Sequence, residues 1–182
     1  NDTITGNSSS IQSDTITVNI TVNNTINLTQ NFSQTFEVVI KDINVTLFNL
    51  SFYFSEKTLN LANVTIQRET VDGKGSTLVR GITLTTGEKK TMYVDNQNTS
   101  TDNLCVKDAH IDQISEISNS CTGTSETVVS CDGTTTKGYT CTKVENDTRY
   151  KVTGLSFSGI IETSASKAKE GGGGGSTGGG GG

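Results

Sequence analysis

The run Ile16-Thr17-Val18-Asn19-Ile20-Thr21-Val22-Asn23-Asn24-Thr25-Ile26-Asn27-Leu28-Thr29-Gln30-Asn31-Phe32-Ser33-Gln34-Thr35-Phe36-Glu37-Val38-Val39-Ile40 decides the fold class. Ten of its thirteen even positions are apolar, and its odd positions are polar except for Val39. Alternation with period two marks β-structure with one buried face. Acceptor triplets for N-glycosylation, Asn-X-Ser/Thr, begin at the odd positions Asn19, Asn23, Asn27 and Asn31. On a continuous strand all four would project from the face opposite the apolar one.

Fully extended, the run would span ~80 Å at about 3.3 Å per residue. A domain of about 140 residues is only ~35–40 Å across. The run must therefore fold back or leave its domain. It holds neither Gly nor Pro, so the usual hairpin signals are missing; Asn23-Asn24 and the stretch Gln30 to Gln34 are the candidate bends.

Beyond this run, short apolar-alternating segments recur at roughly ten-residue spacing, which indicates an all-β sandwich. The register breaks at Lys41-Asp42 and shifts again before Leu50, Phe52 and Phe54, as a turn or bulge requires. Leu59 to Ile66 reads as a strand or bulged pair. Asp72-Gly73-Lys74-Gly75 is the strongest hairpin signal, and Thr86-Gly87-Glu88-Lys89 turns the chain into Met92 to Val94. Asp95 to Asn103 reads as a polar loop and Leu104 to Ile111 as a strand. Ile114 and Ile117 have the spacing of one helical turn. Thr127 to Cys131 and Tyr139 to Val144 read as a hairpin around Asp132-Gly133. A last strand is expected from Arg149 to Thr163, with Gly154 and Gly159 as bulges or points of close approach.

Composition narrows the function classes. Net charge is −5 with no basic cluster, which argues against nucleic acid. No apolar stretch is long enough to span a bilayer as a helix. His110 is the only histidine; a Ser-His-Asp site would have to use it, and no Gly-X-Ser-X-Gly elbow is present. Cys105, Cys121, Cys131 and Cys141 form no close pair of the kind structural zinc sites use. No catalytic residue, metal or cofactor is assigned. The cysteines are better spent as disulfides, and Cys105–Cys121 with Cys131–Cys141 is the favoured pairing, since the second closes a hairpin and the first ties a polar loop.

Acceptor triplets begin at Asn1, Asn7, Asn19, Asn23, Asn27, Asn31, Asn44, Asn49, Asn63, Asn98 and Asn146. With paired cysteines, this density favours an oxidising, extracytoplasmic setting. The start at Asn1 reads as a mature chain whose signal peptide has been removed. Five segments are expected: a flexible lead (1–14), a donor strand (15–29), a linker (30–34), a β-sandwich domain (35–166) and a Gly-rich tail (167–182).

The chemistry that remains is association. If Ile16, Val18, Ile20, Val22, Ile26 and Leu28 belong to no groove of their own domain, their burial in a neighbour would be worth roughly 9–18 kcal/mol before ordering costs. Strand insertion into a neighbouring sheet supplies such a groove. Donor and acceptor lie on different parts of one subunit, so repetition is head-to-tail and open.

A polar lead, an alternating N-terminal strand and an immunoglobulin-like β domain resemble the subunits of donor-strand-complemented pili. The absence of proline, the crowded acceptor triplets and the Thr/Asn-rich composition resemble the archaeal thread filament subunit, a type I pilin-like surface fibre protein. The resemblance covers the layout from Asn1 to about Ser166; the Gly-rich tail departs from it. It implies a glycosylated extracellular filament of identical subunits, used in adhesion or biofilm, with covalent N-glycans and no membrane span. The rival reading is a monomeric secreted β-sandwich, a cell-surface or carbohydrate-binding adhesin domain; sparse aromatics count against a sugar-stacking platform.

Overall fold

The computed structural model of the chain describes residues 3–13, 16–157 and 159–166. The Gly-rich tail and the acceptor Asn1 lie outside the described residues. In chain order the strands begin with β1 (Ile4–Thr5), β2 (Val18–Val22), β3 (Thr35–Asp42), β4 (Val45–Tyr53) and β5 (Leu59–Asn60). Then come β6 (Thr65–Val71), β7 (Lys74–Arg80), β8 (Lys90–Asp95), β9 (Asn103–Lys107) and β10 (Glu126–Ser130). The last four are β11 (Asp132–Thr136), β12 (Tyr139–Val144), β13 (Arg149–Leu155) and β14 (Gly159–Glu162).

The chain is all-β. A seven-stranded sheet has the order β11-β12-β13-β8-β4-β3-β2, and a five-stranded sheet the order β10-β9-β14-β7-β6. Every pairing within both is antiparallel. The two inner faces share one core: Val38, Ile40, Phe48, Met92 and Val152 from the larger sheet meet Ile66, Val79, Leu104, Val106 and Ile160 from the smaller. This is the sandwich that the alternating runs predict.

Local chemistry places the turns. Asp72 and Gly73 both have positive φ (51° and 72°) between the paired Val71 and Lys74; the expected two-residue hairpin is there, in the conformation Asp-Gly favours. β3 and β4 are joined by Ile43-Asn44, with a register shift at Ile40/Lys41 that accounts for the change of parity. Ile114 and Ile117 are both buried, at either end of the 3₁₀ turn Ile114–Glu116. Gly154 lies in the register shift between Val152 and Leu155. Gly159 is a close approach: a Cβ there would come within 2.4 Å of Ile111 Cδ1.

Three expectations need correction. Residues 3–13 are not a loose lead. β1 runs parallel to β5, Gln12 bridges Thr65 at the edge of β6, and Ile4 and Ile11 are buried in the core. Two apolar anchors ten residues or fewer from one another suffice where composition suggests none. The last strand is two strands: β13 ends at Leu155 in the large sheet and β14 begins at Gly159 in the small one. Lastly, β10 pairs with β9, while β12 pairs with β11 through a Lys137-Gly138 turn. β11 is almost entirely exposed, so its Asp-Gly-Thr-Thr-Thr sequence carries no apolar alternation to announce a strand.

Candidate functional site

β2 is the edge of the seven-stranded sheet, and it pairs on β3 of its own chain, Ile20 opposite Ile40 and Val22 opposite Val38. The run from Ile16 to Ile40 is therefore not one strand. It reverses after Val22, where Asn23 and Asn24 both take positive φ (50° and 61°) and the amide and carbonyl groups of Val22 and Thr25 bond reciprocally. Asn tolerates this left-handed region better than other non-glycine residues. Asn23-Asn24, one of the two candidate bends, is the bend.

Along β2 the alternation does what one-faced strands do. Val22 is fully buried and Ile20 nearly so, while Asn19 is exposed. Ile16, Val18 and Leu28 are half-buried against the core, and Ile26 stands 81% exposed in the connection to β3. The structure thus places three of the six donor residues, Val18, Ile20 and Val22, in one edge strand, with Ile16 just before it and Ile26 and Leu28 beyond the turn. The Asn23 amide donates to Glu37 O and the Ile43 amide to Thr17 O. Odd residues of β2 therefore face β3, and the backbone groups of Val18 and Ile20 face outward, along the sheet edge. Beside that edge a cleft of about 730 Å³ runs between residues 3–8 and the 26–31 connection.

Of the ten described acceptor asparagines, eight are exposed; Asn49 and Asn98 are half-buried. Asn19 lies on the outer face of β2, Asn23 at its turn, and Asn27 and Asn31 in the following connection. They do not line one strand face, but all four reach solvent. At Asn7, Asn27 and Asn98 the amide oxygen accepts from the hydroxyl and backbone N–H of the Ser or Thr two residues on. Only Asn98 and Asn146 begin triplets after Asn63, so the acceptors gather on the first third of the chain.

Both disulfides have the favoured pairing, Cys105–Cys121 and Cys131–Cys141. The first sits over a small second core with Leu78, Ile111, Ile114 and Ile117. The second ties the junction of β10 and β11 to β12. Cys105, Cys121 and Glu126 are the one grouping of ligand-type side chains among the described residues. The sulfurs are bonded to each other, and Glu126 is engaged by Ser118, Gly123 and Lys107.

The sequence does not announce three ionic sites, two of them buried and one, around Arg68, half-buried. Burial alone would push the Glu88 carboxyl up, but bonds from Lys57 and Thr85 outweigh it and hold it below the usual range. Arg68 bridges Asp42 and Asp95, and Arg149 shares Asp95. Lys90, 2% exposed, sits inside the sandwich. The signal for Lys90 was its parity, shared with Met92 and Val94. His110 is exposed at the rim of a cleft that Lys90 also lines.

Comparison with protein-family models, curated proteins and solved structures finds no match. Among the described residues, no helix is long and apolar enough to cross a membrane.

Proposed function

We propose that this chain is the structural subunit of an extracellular, glycosylated filament, assembled head-to-tail by exchange of its N-terminal edge strand and serving adhesion or biofilm formation. One observation carries the reading: β2 is a one-faced edge strand, with Ile20 and Val22 buried and Asn19 and Asn23 in solvent, held to the body by the β3 ladder alone within its sheet. An element of that kind can serve its own sheet or, with the same pairing, the sheet of a neighbour. Exchange would keep Ile20 opposite Ile40, with 25–34 opened as the hinge. Two disulfides and the exposed acceptors support an oxidising, extracytoplasmic location.

A second reading is favoured by the place of β2 in its own sheet: a monomeric secreted β-sandwich acting as a cell-surface or carbohydrate-binding domain. A cross-link separates the two. Thr21 and Val39 are direct partners on β2 and β3, close enough for a disulfide. In a Thr21→Cys, Val39→Cys variant, filaments seen by electron microscopy should run as a covalent ladder on non-reducing gels. Dispersed particles with a cross-link confined to single chains favour the monomer. Fibres whose cross-link stays within one chain would sink strand exchange but keep the filament.

A further inference from the structure

Independently of that reading, the open end of the sandwich holds a second site. Lys90, Met92 and Val94 share one face of β8 and point between the sheets. Lys90 is the last of them before the mouth, and its ammonium crosses to the opposite sheet to donate to Val79 O at 3.0 Å. That carbonyl is its one hydrogen-bond partner among the described residues. An ammonium has three N–H donors, so two are unspent, and an unmet buried donor is costly.

The nearby acids are spent elsewhere. Asp108 attracts Lys90, but its oxygens accept from the Ser156 and Phe157 amides and from the Tyr139 hydroxyl. Glu88 is paired with Lys57. Arg80 is paired with Asp112, and Lys89 donates to Ser156. Lys90 lines a cleft of about 610 Å³, within the ~300–1,000 Å³ range of small-molecule sites. Its walls include Ile82, Leu84, Ile111 and Phe157, and Phe157 is 53% exposed at the entrance. The charged lining is Arg80, Lys89 and Lys90 against Glu88 alone, with His110 beside them.

We propose that this cleft binds a small carboxylate with an apolar body, its carboxylate on the Lys90 ammonium and its apolar part against Ile82, Leu84, Ile111 and Phe157. A charge-assisted bond to a buried ammonium is the strong kind. An inorganic anion would leave the apolar walls unused, and a neutral or cationic guest would leave the donors unmet. Burial pushes Lys90 down to about 8, opposed by Asp108. Above that pH the site must take up a proton to bind a carboxylate, so affinity falls as pH rises through 8.

The test uses octanoate as the probe, with octanol and octylamine as controls, titrated calorimetrically into the full chain at pH 6.5. Octanoate should bind and octylamine should not. Lys90→Met should weaken octanoate about tenfold or more, the scale of one charge-assisted contact. In the wild-type chain, affinity should fall about fivefold from pH 8 to pH 9. Phe157→Ala, at an exposed position, should weaken binding severalfold with the fold intact, so the proposal is tested even if Lys90→Met misfolds. Absent octanoate binding, octanol binding equally well, or octanoate affinity indifferent to pH between 8 and 9 would each overturn it.

Discussion

Glu88 and Lys57 form an ion pair in which the carboxylate is shielded completely and the ammonium lies over the Phe52 ring. Replacing Lys57 by Met strands a buried charge and should cost about 3 kcal/mol in urea unfolding. Glu126 resembles Glu88: burial would raise it, but Ser118 and Gly123 hold it low. Both acids are depressed in the fold, so their contribution is present above their unfolded value, near 4.5, and is lost as pH falls through the folded values. Acid unfolding should steepen below about pH 4.5, and Glu88→Gln should flatten that limb. Lys90 gives a slope of the same sign in a higher window, because there the fold penalises the charged form. Its unfolded form holds a proton between about 8 and 10.5 that the folded form releases, so stability rises with pH across that window. Lys90→Met should therefore stabilise the chain at pH 7 by roughly 3 kcal/mol, a gain that fades by pH 10.5 in thermal melts. In the sequence, Lys90 follows Glu88 and Lys89 and looks like part of a charged turn. Only its parity with Met92 and Val94 says otherwise, and parity needs a known strand start.

At the scale of elements, the β2–β3 pairing turns on Asn24. Asn24→Ile keeps the acceptor triplet at Asn23 but puts a β-branched residue at φ 61°, a cost of about 1–2 kcal/mol. Amide exchange in β2 should quicken in this variant while β8 and β13 keep their protection. If strand exchange builds the filament, its assembly should also become faster. What was legible at this scale follows from which elements carry a local signal. Asp72-Gly73 declares its turn by backbone preference, and the shift at Ile40/Lys41 shows as a change of parity. The pairing of four cysteines was legible because one pair closes an expected hairpin and the other ties a polar loop. β11 was hidden because an edge strand exposed on nearly all its residues needs no apolar alternation. The break between β13 and β14 was hidden because Leu155 and Ile160 are apolar on both sides of a crossover between sheets, and hydrophobicity does not distinguish one sheet from the other. The reversal at Asn23-Asn24 was one of two candidates; only the reciprocal bonds between Val22 and Thr25 single it out.

At the scale of the molecule, covalent reinforcement is one-sided. Both disulfides lie between Cys105 and Cys141, and nothing covalent braces β1 to β8. Replacing Cys105 and Cys121 by Ala should cost about 3 kcal/mol, by the entropy of a loop of this length, and should loosen the cluster of Ile111, Ile114 and Ile117 first. The Cys131–Cys141 pair should then survive in peptide maps. Mechanically, the asymmetry sets how far the chain can stretch. A molecule pulled from its two ends cannot pay out the residues enclosed by its bridges, which have sequence separations of 16 and 10. At about 3.5 Å per residue, less the 5.5 and 4.3 Å that the two bridges span between Cα atoms, that is ~80 Å of contour withheld. Single-molecule extension in reductant should be longer by that amount. Without reductant, the chain has a built-in limit on its give, so a tether made of it would yield through its first hundred residues and then stiffen.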